Sequence, residues 1–264
     1  MKAVLFIFLS VTVLFPSNIE LTQKQANYVA KKVWQNEGAG QDKYLVWWNK
    51  GEDFASVGIG HFIWFPKGHK ERFREVFPMV VAYMEKKHIQ MPSWLNSKTA
   101  LPWASKAEFF KAKNTKTKTY RELFIFLKRT MPYQAEFMAD RLAKALPQML
   151  NTINDLGRKA LVKKRFDEVL YNKNGRINER GLYALLDYTN FKGEGTLKSE
   201  RYKGQGWGLL QVLEHMDPKE ANKQKAFALS AKAMLSRRIK NSPKARGEER
   251  WRKGWNIRLD TYWK

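Results

Sequence analysis

The residues with chemical potential begin at Glu37. Ala26, Val29, Ala30, Val33 and Trp34 fall at i, i+3, i+4, i+7 and i+8, the spacing of one apolar helical face, and Glu37 follows at i+11 on that face. Gly38 and Gly40 then end the helix. A carboxylate that closes an apolar stripe is partly desolvated, which disfavours its ion and raises its pKa. An acid still protonated near neutral pH is a general acid, able to protonate the leaving oxygen of a glycosidic bond. The other reading is a carboxylate turned to solvent at a fraying helix end.

A β-prone stretch follows. Tyr44–Asn49, a turn at Lys50-Gly51-Glu52-Asp53 and the run Phe54–Phe65 read as a hairpin, with Gly58 and Gly60 permitting close backbone approach. From about residue 70 to 170 the pattern is mostly helical and basic, interrupted at 91–94 and 101–103. Asn178 is placed to cap a helix over Leu182, Leu185 and Leu186, and Phe191-Lys-Gly-Glu-Gly195 breaks it. Asp217-Pro218-Lys219-Glu220 reads as the start of the last long helix.

A second cluster lies between residues 188 and 207. Tyr188, Asn190, Gln205 and Trp207 combine flat aromatic faces with planar amides, the groups that a sugar ring and its acetamides need, and Glu194 and Glu200 add acids. The cluster reads equally as the far wall of a sugar cleft or as a helix connection with Trp207 in the core.

The composition bounds the rest. The 264 residues contain 44% hydrophobic and 14% aromatic side chains, which excludes a disordered chain. Without cysteine there is no disulfide framework, cysteine-ligated zinc or cysteine nucleophile. His61, His69, His88 and His215 lack paired metal-ligand spacing, so neither a metal nor a cofactor is expected. The net charge of +24 suits a polyanion: nucleic acid, membrane headgroups or cell wall. Met1-Lys2, the apolar run Ala3–Phe15 and Pro16-Ser17 read as a secretory signal peptide over residues 1–17, leaving 18–264 as the mature domain. The run is short for a membrane span, and no later stretch is apolar enough. Export to the periplasm or outside the cell favours a peptidoglycan-like or other anionic envelope polymer as the partner of a monomeric protein, over nucleic acid, for which no specific motif is visible.

Glu37-Gly38, followed by a β-prone stretch and Ser56-Val-Gly-Ile-Gly-His61, resembles the active-site region of phage-type lysozymes. The resemblance implies a mainly helical α+β fold, with a helical lobe, a small β-hairpin lobe and a cleft between them. It implies cleavage of the β-1,4 bond between N-acetylmuramic acid and N-acetylglucosamine. Glu37 matches the family's catalytic acid, Ser56 stands where the family has an active-site threonine, and His61 matches the signature histidine beside the cleft. The tail Arg250–Arg258 is similar to the arginine- and tryptophan-bearing closing segment of lysozyme-like helical lobes. Two departures matter: Glu37 and His61 stand 24 positions apart, a longer gap than in the compact phage enzymes, and, more seriously, the family's catalytic aspartate position falls on Lys50. Glu52 and Asp53 are the nearest carboxylates, and Glu52 is the candidate second group if the turn folds over the cleft. Lytic transglycosylases of the wider superfamily use one glutamate and leave a 1,6-anhydro end, and a silent wall-binding protein would need none.

Overall fold

The computed structural model describes residues 19–69 and 74–264. The signal-peptide reading of residues 1–17 lies outside them. Among the described residues, ten α-helices and two small antiparallel sheets make a mainly α, α+β fold, with 60% of those residues helical and 7% in strands.

Helix α1 (Gln23–Gly38) starts where the sequence predicts. Thr22 and Gln25 close a reciprocal capping box, and Ala39 ends the helix in the left-handed region. Its stripe Ala26, Val29, Ala30 and Val33 is at most 2% exposed and packs on α5 (Met131–Asn151) and α7 (Glu179–Lys192). Burying such a stripe supplies most of the stability of a helix this short. Helices α2 (Phe77–Lys86), α3 (Lys106–Asn114) and α4 (Lys118–Arg129) precede α5, and α6 (Leu156–Leu170) follows it. The last three are α8 (Leu209–His215), α9 (Lys223–Asn241) and α10 (Arg252–Asp260). One hydrophobic cluster runs through the described residues, from Ile19 to Tyr262. Among these residues no helix is long and apolar enough to cross a membrane.

The hairpin of the sequence reading is a three-stranded sheet. Strand β1 (Val46–Trp47) pairs with β2 (Ala55–Val57), and β2 with β3 (Phe62–Trp64), all antiparallel. The run 54–65 is two strands because Gly58 (φ 74°) and His61 (φ 46°) turn the chain between them. Gln134 on α5 holds that turn. Its Oε1 accepts the Ile59 N–H at 2.8 Å, while its Nε2 donates to the Leu127 carbonyl at 2.8 Å.

The helix start at Asp217 is also corrected. Asp217 Oδ1 accepts the Lys219 N–H and Glu220 Oε1 accepts the Asn222 N–H, so both acids close a turn. Asn222 then caps α9 through the Lys225 N–H. The glycine-rich loop before α8 holds a short ribbon of β4 (Arg201–Tyr202) and β5 (Gln205–Gly206).

Candidate functional site

Glu37 occupies the last turn of α1, with its side chain 16% exposed. It is not alone in an apolar pocket, as its place on the stripe suggested. Arg258, on α10, donates from Nη2 to Glu37 Oε1 at 2.5 Å. On the other side, His61 Nδ1 stands 3.7 Å from Glu37 Oε2. The site therefore joins the end of the first helix, the turn of the sheet and the last helix.

Behind this contact lies a buried polar network. Asp187 on α7 is wholly buried and accepts from Arg258 Nε at 2.7 Å and Nη2 at 2.8 Å. It also accepts from the Tyr262 hydroxyl at 2.6 Å and Asn36 Nδ2 at 3.2 Å. Asn36 and Thr261 both bond the Tyr183 hydroxyl. A buried carboxylate costs several kcal/mol unless it is paired and hydrogen-bonded, and these donors meet that requirement. Burial works against the Arg258 cation, but Asp187 and Glu37 overcome it and hold its pKa well above the usual arginine value. Its guanidinium also lies 4.0 Å from the centre of the Phe191 ring, which fixes its plane.

His61 has a lowered pKa. Burial is the main cause and outweighs the favourable charge of Glu37, and Arg258 adds to the lowering. Next to the site, Lys192 is drawn down to about 6, first by burial and then by the Arg238 and Arg258 charges, against weaker support from Glu248 and Glu37. Its Nζ sits 3.7 Å from the Phe191 ring centre and 3.8 Å from that of Trp255.

The predicted residues divide. Glu37 and His61 meet. Asn190, on α7, reaches the same turn, donating from Nδ2 to the Gly60 carbonyl at 3.2 Å. Glu194 lines a shallow pocket beside Asn190 with Arg141, Leu186 and Thr189. Burial and the nearby Glu200 raise its pKa. Ser56 lies in the central strand, 4% exposed. Glu52 is in the β1–β2 turn, where its Oε2 accepts from Asn49 Nδ2 at 3.0 Å. It lines a separate cleft of about 570 Å³ with Trp48, His69 and Lys106. Its charge is the weakest of the influences on His61. Lys50 is exposed.

Two residues of the second cluster, Tyr188 and Trp207, are not placed as a sugar-binding wall. Tyr188 is wholly buried, and its hydroxyl donates to the Trp207 carbonyl at 2.6 Å. Trp207 is 5% exposed, packs on Tyr202 and carries the Arg238 guanidinium 4.3 Å from its ring centre. Tyr188 is buried on α7 against Phe227 of α9, and Trp207 is buried because the loop folds back over α9. Gln205 ties the β4–β5 ribbon to α9 by accepting from Asn241.

The sequence reading passed over Asp187, Lys192 and Tyr262. Asp187 did leave a signal. It is the one acid in the run Gly181–Tyr188, which is buried throughout, and such an acid needs a cation from elsewhere in the chain.

Among the described residues no group of histidines and carboxylates is arranged to hold a metal ion. No protein-family model matches the chain, and neither a curated protein nor a solved structure is significantly similar to it.

Proposed function

We propose that the chain is an exported peptidoglycan glycosidase that cleaves the β-1,4 bond between N-acetylmuramic acid and N-acetylglucosamine, with Glu37 as general acid. The observation that carries this reading is the meeting of Glu37 with Arg258 and His61 at the end of α1, over the glycine turn. The carboxyl delivers its proton to the leaving glycosidic oxygen while a water molecule bonds to the anomeric carbon and releases a proton to solvent, and Arg258 stabilises the carboxylate left behind.

Lytic transglycosylation of the same bond is the second reading. It is favoured by Lys50 at the position where a second acid was expected and by the engagement of Glu52 with Asn49. In that reaction the C6 hydroxyl of the muramoyl residue attacks its own anomeric carbon. Glu37 first protonates the leaving oxygen, then takes the hydroxyl proton, and a 1,6-anhydro ring closes. A wall-binding protein without activity is the third.

Digestion of purified peptidoglycan by the protein, beside its Glu37→Gln variant, separates the three by mass spectrometry of the released fragments. Reducing muropeptides absent with the variant mean hydrolysis. Anhydro-muropeptides absent with the variant mean transglycosylation. Sedimentation with intact wall and no release from either protein leaves the binding reading.

A further inference from the structure

Beside Arg258, α10 and the residue just before it carry two indoles. Trp255 and Arg258 stand one turn apart on α10 and both lie against Phe191, and Trp251, the residue before α10, packs on Trp255. The two rings are 5.7 Å apart and tilted by only 32°, closer to parallel than the edge-on pairs that fill the core. Both are partly exposed, whereas Trp48, Trp64, Trp103 and Trp207 are buried. Gly254, just before Trp255, faces open space: a Cβ there would meet nothing within 4 Å.

The surroundings fix the pair and charge it. Trp255 packs on the core, edge to face with Phe191 at 6.3 Å, with Lys192 Nζ against its ring. The Arg250 guanidinium lies 4.7 Å from the Trp251 ring centre. Helical rise places Arg258 about 4.5 Å beyond Trp255. Through Phe191 and Arg258 the indoles therefore border the residues that hold Glu37.

We infer that Trp251 and Trp255 form a stacking platform for the pyranose rings of a glycan strand whose scissile bond lies at Glu37, with Arg250 receiving an acidic substituent of the strand. A β-linked pyranose presents a flat face of axial C–H bonds that covers an indole. The Arg250 guanidinium beside Trp251 matches the carboxylates of an acidic glycan and not a neutral one. The inference deepens the glycosidase reading and rests on it for the identity of the polymer.

The test is binding, followed by tryptophan fluorescence in the Glu37→Gln protein, which leaves the strand uncut. The probes are soluble fragments of alternating N-acetylglucosamine and N-acetylmuramic acid with their peptide stems, chitopentaose, and an oligothymidylate. Trp255 supports the core, so Trp251→Ala carries the test and Trp251→Phe is its rescue. The platform predicts quenching by the acidic fragments and about tenfold weaker binding in Trp251→Ala, the scale of one lost aromatic contact. It also predicts recovery in Trp251→Phe and weaker binding of chitopentaose than of the acidic fragments. Unchanged binding in Trp251→Ala overturns it. So does quenching by the oligothymidylate alone, which would assign the indoles to nucleic-acid bases. The two proposals can fail separately. Wall cleavage with an unaltered KM in Trp251→Ala removes the platform and leaves the glycosidase. Trp251-dependent glycan binding without cleavage by the wild type does the reverse.

Discussion

Arg258 binds Asp187 through two nitrogens and reaches Glu37 with one of the same two, so a single guanidinium couples a wholly buried carboxylate to a partly exposed one. Removing the buried partner should cost more stability than removing the exposed one. Asp187→Asn is expected to lose about 3 kcal/mol, the scale for breaking a buried pair. Glu37→Gln should lose less than about 1 kcal/mol, because Arg258 keeps its two bonds to Asp187. Urea denaturation of the two variants checks the order.

The turn over the site leaves no room for a side chain at Gly58. Its φ is 74°, and a Cβ there would meet Gln134 Oε1 at 2.4 Å. Gly58→Ala is expected to destabilise by about 1–3 kcal/mol. Gln134→Ala should cost a similar amount by freeing the Ile59 N–H. Both act on one contact, so the double variant should lose clearly less than the sum of the two.

Lys192 makes stability depend on pH. In the unfolded chain its amine holds a proton up to its ordinary value of 10.5, whereas in the folded chain it does so only up to about 6. Between these limits unfolding takes up a proton, so the stability of the wild type rises with pH through that window, by at most about 1.4 kcal/mol per unit from this group. Lys192→Met removes the contribution. The variant should exceed the wild type in stability at pH 7, and the difference should shrink by pH 9. Parallel denaturation series at the two pH values measure it.

The Tyr188 hydroxyl serves the fold. Tyr188→Phe loses one buried hydrogen bond to the Trp207 carbonyl, and a loss of about 1–2 kcal/mol is expected. The binding of wall fragments should be unchanged, because the ring stays where it is. A fragment titration beside thermal denaturation separates the two effects.

Local signals in the sequence were legible and long-range pairings were not. The α1 stripe, the Asn178 cap on α7 and the break at Gly193 follow from spacing and backbone chemistry within a few residues. Glu37 and His61 were visible as a pair through the resemblance of the segment that joins them to a known active-site motif. Gly58 was legible as a glycine that matters, but the turn it makes depends on Gln134, 76 positions later, which no local pattern announces. Tyr188 and Trp207 have the chemistry of a sugar platform. The loop between them folds onto α9, and burial, which composition does not encode, decides their role. The capping residues at 217–220 were a true turn signal, read one turn too early because Asn222 offers a second cap.

The contact between Glu37 and Arg258 spans 221 positions. At about 5–20 residues per second, a ribosome that has made Glu37 needs roughly 10–45 s more to reach Arg258. For that interval the carboxylate exists without its guanidinium, and the α10 indoles do not yet exist. The site thus matures only when the last helix docks, so a nascent or prematurely ended chain carries the acid in an unfinished pocket. The pairing of Glu37 with Arg258 therefore waits until α10 has been made and has docked.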